Sequence, residues 1–256
     1  MWPPSHVTEE RLSMSESFGD RKAVVPYVVV GDPDADSTVK YILALEKAGA
    51  DMVEIGIPFS DPIADEPAQK DAALRGMASG ANIDTAFSVL EKVRSQSDIP
   101  VSIVSYLNPI FEYGYDRFFG CCAEGHVSSV FIIDMPYEER TEVSSFAKKN
   151  GISLITAVYP ASDGRLALLA DKAEGFIYLV PMDKDPGEVD RMVSLIKGRT
   201  DVPVLVAFGS GRPEDAVSRM GSADGLVIGS GVVEIIGNGD AESEIFEYVS
   251  GIRKAL

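Results

Sequence analysis

The chain has 256 residues, a formal net charge of −17 at pH 7, 45% hydrophobic residues and 25% charged residues. This is ordinary globular composition with room for a sizeable core. The acidic balance argues against nucleic acid or an anionic membrane surface as a partner.

The N-terminus, Met1-Trp2-Pro3-Pro4, lacks a basic region followed by a long apolar run, so no signal peptide is read, and no segment reaches the length of a membrane span. A short extra helix is expected over Leu12–Phe18. The first strand is expected near Ala23–Val30 and a helix over Ser37–Ala48. Asp32, Asp34 and Asp36 have the opening spacing of a calcium loop, but Ser37 stands where the turn glycine belongs and Leu43 where the bidentate Glu belongs. Asp34 or Asp36 is instead read as a helix cap.

The second strand, near Asp51–Ile57, carries Glu54 in an apolar setting and runs into a Pro-rich loop with Asp61 and Asp65. Alternation puts Met52 and Glu54 on one face and Val53 and Ile55 on the other. A carboxylate buried among Val, Ile and Met is costly without a purpose. The functional reading is an acid/base pair, Glu54 on a rigid strand and Asp65 on a loop; the plainer reading is a solvated strand end. Ser60 beside Asp61 has no plausible histidine partner, since the chain holds only His6 and His126, which disfavours a hydrolase triad.

Further along, a helix over Asp84–Gln96 precedes a strand near Val101–Tyr106 and a helix over Asp116–Glu124. Cys121, Cys122 and His126 make a poor zinc set, because adjacent residues on a helix point in different directions; no metal site is expected. Two neighbouring cysteines without another pair suit a reducing cytoplasm. Strands near Ser129–Ile133, Ser153–Val158, Phe176–Val180, Val204–Ala207 and Gly225–Ile228 alternate with helices over Glu138–Lys149, Arg165–Lys172, Pro186–Lys197 and Pro213–Met220, and Ala241–Ala255 closes the chain. The alternation indicates an α/β fold with a parallel sheet. Eight such strands at this length point to a single (β/α)8 TIM barrel occupying residues 1–256.

Barrels place chemistry at the C-terminal ends of their strands, where Glu54, Asn108, Asp134, Tyr178 and Gly209 are expected to converge. Gly209-Ser210-Gly211 follows the seventh strand, and Gly229-Ser230-Gly231 follows the eighth and opens a short apolar segment, Val232–Ile236. Loops at these two places, with a short helix after the last strand, suit a phosphate cradle built of backbone N–H groups. Tight turns are the alternative use of the same glycines. A dinucleotide fingerprint fails at Gly209, because the third glycine is missing.

The stretch from Val53 to Asp65, VEIGIPFSDPIAD, closely resembles the signature of the tryptophan synthase α subunit family. Val25–Pro33, Tyr106–Phe111, Asp134-Met135-Pro136, Phe208-Gly209 and Gly229-Ser230 fall at matching places, so the resemblance covers nearly the whole chain. It implies retro-aldol cleavage of indole-3-glycerol phosphate to indole and glyceraldehyde 3-phosphate, without a cofactor. Glu54 then matches the catalytic proton donor and acceptor, and Asp65 the carboxylate that accepts the indole N–H. Tyr27 and Tyr106 match positions lining the indole pocket, Tyr178 a position near the glycerol chain, and Gly209, Gly229 and Ser230 the phosphate site. The resemblance also implies a β-subunit partner in an αββα assembly, holding pyridoxal phosphate of its own and facing the loops Pro58–Asp61 and Asn108–Phe111.

The sequence departs from that pattern in three places. The segment after the sixth strand, Pro181–Gly187, is short and lacks the Thr-Gly pair of the family's mobile lid; Glu66 replaces a usual Gly, and Lys70 a usual Gln. Lys184 in that segment is either a substitute phosphate contact or a solvated lysine between Asp183 and Asp185. Two alternatives stay open: a catalytically weak barrel that mainly binds and activates a β subunit, and a phosphate-binding barrel isomerase.

Overall fold

The first strand, β1 (Ala23–Val29), buries all seven of its residues. A strand covered on both faces reads as a continuous apolar run, which is the mark of a parallel sheet wrapped by helices. The computed structural model describes residues 18–19, 21–181, 186–239 and 241–256. The remaining strand segments are β2 (Val53–Gly56), β3 (Val101–Ser105), β4 (Val127–Ile132), β5 (Ser153–Leu154), β6 (Thr156–Val158), β7 (Ile177–Leu179), β8 (Val204–Ala207) and β9 (Gly225–Ile228).

All pairings are parallel, in the order β5-β4-β3-β2-β1-β9-β8-β7-β6. The two ends of that order, β5 and β6, are joined through Ile155 alone, whose N–H donates to the Val130 carbonyl at 3.0 Å. The fifth strand of the barrel is thus split, one half pairing with β4 and the other with β7, and the ring closes through it. This is the (β/α)8 barrel that the alternation predicts.

Around it lie α1 (Ala35–Lys47), α2 (Pro67–Ala78), α3 (Ile83–Arg94), α4 (Leu107–Tyr113), α5 (Tyr115–Glu124), α6 (Ser144–Lys149), α7 (Asp163–Ala170), α8 (Pro186–Lys197), α9 (Ala216–Met220), α10 (Ser230–Gly237) and α11 (Glu242–Ala255). Asp34 caps α1 by accepting the Ser37 N–H at 2.8 Å, which settles the use of the aspartate run. Asp32 is instead gripped by Arg75 at 2.7 and 2.8 Å. The helix expected over Glu138–Lys149 breaks at Val143, between a 3-10 segment (Tyr137–Glu142) and α6. Two helices have no counterpart in the sequence reading, α2 and α4.

The core has two layers. Val25, Tyr27, Met52, Val104, Phe131, Ile155, Phe176, Leu205 and Val227 fill the barrel interior, with Phe18 packed against them. Val24, Val28, Val53, Ile55 and their like face outward against the helices. The face assignment made from alternation along β2 therefore holds: Met52 is interior, and Glu54 shares its side. Phe18 is the one described residue of the helix expected over Leu12–Phe18, and it is buried. Cys122 is a buried residue of α5. Among the described residues, no cluster of three His, Cys, Asp or Glu could hold a metal ion, and no helix is long and apolar enough to cross a membrane.

Candidate active site

Glu54 lies on β2 in register with Tyr27 of β1 and Ser102 of β3. Its placement follows from period-two alternation, which turns every second β2 side chain into the barrel. It is only 3% exposed, and its Oε1 has no hydrogen-bond partner among the described residues. Burial is the cause that pushes its carboxyl up to about 8, so the acid holds its proton at neutral pH. An interior carboxyl left unpaired costs stability, which makes it a strong candidate for chemistry.

Asp65 sits on the loop between β2 and α2, half-buried. Burial raises its pKa; a hydrogen bond from Tyr106 and the charge of Lys70 work in the opposite direction. Tyr106, at the end of β3, is 3% exposed. Its hydroxyl accepts the Ala64 N–H at 3.0 Å and so pins the loop beside Asp65. Phe59 tilts against the Tyr106 ring with centroids 5.2 Å apart.

Tyr27 and Tyr178 point into the same end of the barrel, and burial raises both hydroxyls well above the ordinary tyrosine value. The fields of Glu54 and Asp65 both act on each of these hydroxyls, so the two carboxyls and the tyrosines form one electrostatic neighbourhood. Phe131 meets the Tyr178 ring edge-on at 5.4 Å. Tyr27 also depends on Gly56: a Cβ there would stand 2.0 Å from the tyrosine hydroxyl oxygen. That dependence has no signal in the sequence beyond the glycine itself.

At the other side of the barrel mouth, Gly209 follows β8 and takes φ +69, a conformation that favours glycine. Its carbonyl accepts the Gly231 N–H at 3.2 Å, joining the loops after β8 and β9. Gly229 and Ser230 open α10, whose first residues are buried, so the short helix expected after the last strand is present. The Ser230 hydroxyl donates to the Glu66 carboxylate and lies 3.4 Å from Gln69 Oε1. Sequence reasoning placed Ser230 here but missed its partners on α2.

Two more residues expected at the convergence lie just beyond strand ends. Asp134 accepts the Leu107 N–H at 2.8 Å and thereby braces the start of α4. Asn108 is exposed within α4. Tyr159, after β6, was overlooked; its field reaches Tyr178. Lys184 lies outside the described residues.

A family model described as tryptophan synthase alpha chain matches residues 15–251. The chain belongs to the tryptophan synthase alpha chain family. It is 39% identical over 252 residues to the tryptophan synthase alpha chain of Lacticaseibacillus casei, covering 95% of each chain. It is 34% identical to that of Thermoanaerobacter sp. strain X514, over 92% of this chain and 94% of the relative. Among solved structures, tryptophan synthase subunit alpha from Legionella pneumophila str. Paris superposes with a TM-score of 0.88 at 30% identity, over 95% of this chain and 98% of that one. The chain from the tryptophan synthase α2β2 complex of Pyrococcus furiosus gives 0.85 at 30% identity, over 91% and 99%. The family's barrel and this mouth of carboxyls, tyrosines and glycine loops therefore coincide in one chain.

Proposed function

We propose that this alpha chain is a carbon–carbon lyase that cleaves indole-3-glycerol phosphate to indole and glyceraldehyde 3-phosphate. The observation that carries the reading is Glu54: a carboxyl aimed into the barrel, without a hydrogen-bond partner for Oε1 among the described residues, and protonated at neutral pH. The reaction needs a proton delivered to indole C3 and a proton taken from the hydroxyl on the adjoining carbon. Glu54 gives its proton to C3, and the resulting carboxylate accepts the hydroxyl proton as the carbon–carbon bond breaks. The bond's electrons return to the ring, the carbonyl of glyceraldehyde 3-phosphate forms, and Glu54 ends as it began. Asp65 accepts the indole N–H and stabilises the positive charge that the ring carries after protonation.

Tyr27 and Tyr106 wall the indole end and Tyr178 adjoins the glycerol chain. The phosphate lies against Gly209, Gly229 and Ser230 at the start of α10, where the helix dipole favours an anion. The step needs no cofactor. The partner is a β subunit in an αββα assembly, which holds pyridoxal phosphate; the complex known from Pyrococcus furiosus supports this arrangement. Ile63 and Phe111, 81% and 59% exposed, are apolar surface on the loop and helix that would face it. The adjacent cysteines fit a cytoplasmic setting.

The test is indole release from indole-3-glycerol phosphate by the purified chain, alone and with a β subunit. Background release in both arms would remove the lyase reading and leave a barrel that only binds and activates β.

A further inference from the structure

The contact between Glu66 and Ser230 joins residues far apart in sequence. Glu66 stands at the N-cap of α2, directly after Asp65, and makes no side-chain cap bond to its own helix. Its carboxylate is turned across the barrel mouth to accept the Ser230 hydroxyl, while Gln69, one turn along, lies beside the same hydroxyl. Ser230 is 2% exposed, whereas Glu66 is open to solvent. The Glu66 charge also reaches Tyr178, so this carboxylate lies near the reaction end of the barrel. A Cβ on Gly229 would stand 2.8 Å from Gln69 Nε2, which shows how closely the first turn of α2 covers the start of α10.

An anion already stands where the phosphate of the proposed substrate has to bind. Resting on that phosphate reading, we propose that Glu66 is a specificity-determining residue, a tethered carboxylate that competes with the phosphate group for Ser230. A serine hydroxyl has one proton to donate, so it serves the carboxylate or a phosphate oxygen. A phosphate arriving beside an undisplaced Glu66 meets like charge at short range, which weakens its binding. Binding therefore requires the side chain to swing outward, and its exposure leaves it room to do so. An uncharged glycerol end makes no such demand. Glu66 thus narrows the preference for phosphorylated over unphosphorylated ligands, and Gln at this position widens it.

Inorganic phosphate, titrated calorimetrically into the purified chain, is the direct probe. Glu66→Gln keeps the length and a polar end but removes the charge, and is expected to bind phosphate on the order of ten-fold more tightly than the wild type. Glu66→Asp keeps the charge and should stay within about three-fold of the wild type, which separates charge from shape. With indole-3-glycerol phosphate, Glu66→Gln should lower KM while changing kcat less. Equal or weaker phosphate binding by Glu66→Gln overturns the role given to Glu66, whatever the lyase assay shows. Tighter phosphate binding without indole release from any variant supports Glu66 and removes the cleavage reading instead. Absence of phosphate binding in all three proteins at tens of millimolar overturns both.

Discussion

Replacing Glu54 by Gln keeps the side-chain volume and removes the carboxylic-acid proton that the barrel interior offers at this point. Indole release should fall by on the order of a hundred- to ten-thousand-fold, with the fold intact by circular dichroism. The same variant has a stability signature. The folded pKa of Glu54, about 8, lies above its ordinary value of 4.5, so burial of the charge costs nothing at low pH. The cost grows as pH rises from the ordinary value and is complete above the folded one. Between about pH 6 and about pH 9 the wild type should lose about 2–3 kcal/mol more stability than Glu54→Gln in urea titrations. Parallel pH profiles would mean that the carboxyl is relieved by a partner. Activity should follow the same group, with kcat/KM falling as pH passes through about 8 and the donor form is lost. Asp65→Asn keeps the shape of the loop but cannot offset charge on the ring, and a loss of at least about a hundred-fold is expected. A loss of only a few-fold in indole release would reduce Asp65 to a loop residue.

At the scale of elements, the sequence was legible wherever large apolar residues set a period. β8 and β9 fall where their runs of Val, Leu and Ile lie, and alternation alone put Glu54 on the face of Met52, which the structure shows to be the interior. The helix α2 was not legible, because it buries only Ala72, Ala73 and Gly76. It packs through small residues; a Cβ on Gly76 would approach the Val30 carbonyl to 2.7 Å, and such closeness leaves no apolar stripe to read. α4 is seven residues with Pro109 inside, too short to establish a period. The cost of missing α2 was missing the meeting of Glu66 and Gln69 with Ser230, which depends on how two helices abut. Gly229 gives the test at this scale. Its φ of −88 suits any residue, and a new Cβ would press only on the end of the Gln69 side chain. Gly229→Val should therefore fold with a stability change within about 1 kcal/mol, yet raise KM for indole-3-glycerol phosphate by on the order of ten-fold as the branched side chain blocks the anion. A soluble, stable variant with unchanged KM would move the phosphate elsewhere.

The whole molecule is a ring whose first and last strands pair directly, and a buried ion pair ties the last helix to the start of β2 at the end opposite the active site. Asp51, just before β2, is wholly buried at its side chain and accepts the Val24 N–H at 2.8 Å. Arg253, near the end of α11, forms an ion pair with it and also donates to the carbonyls of Gly49 at 3.1 Å and Lys22 at 2.7 Å. Arg21 reaches the same carboxylate from the other side, but its side chain is 63% exposed. Exposure decides which arginine matters. A solvated partner contributes about 0–1 kcal/mol, while removing the buried one strands a charge and two carbonyls in the interior. Arg253→Ala should cost about 3 kcal/mol, at the lower end of the range for a broken buried pair because Arg21 remains. Arg21→Ala should cost under about 1 kcal/mol. Urea unfolding of both variants checks the order, and a larger loss for Arg21→Ala would reverse the account. Because this bond lies at the floor of the barrel and Glu54 at its mouth, Arg253→Ala should lower stability while the KM of the folded enzyme stays within about two-fold of the wild type. A large rise in KM would mean that the two ends of the barrel are mechanically coupled, with α11 transmitting the strain through the Tyr248 hydroxyl, which donates to the Gly211 carbonyl at 2.6 Å.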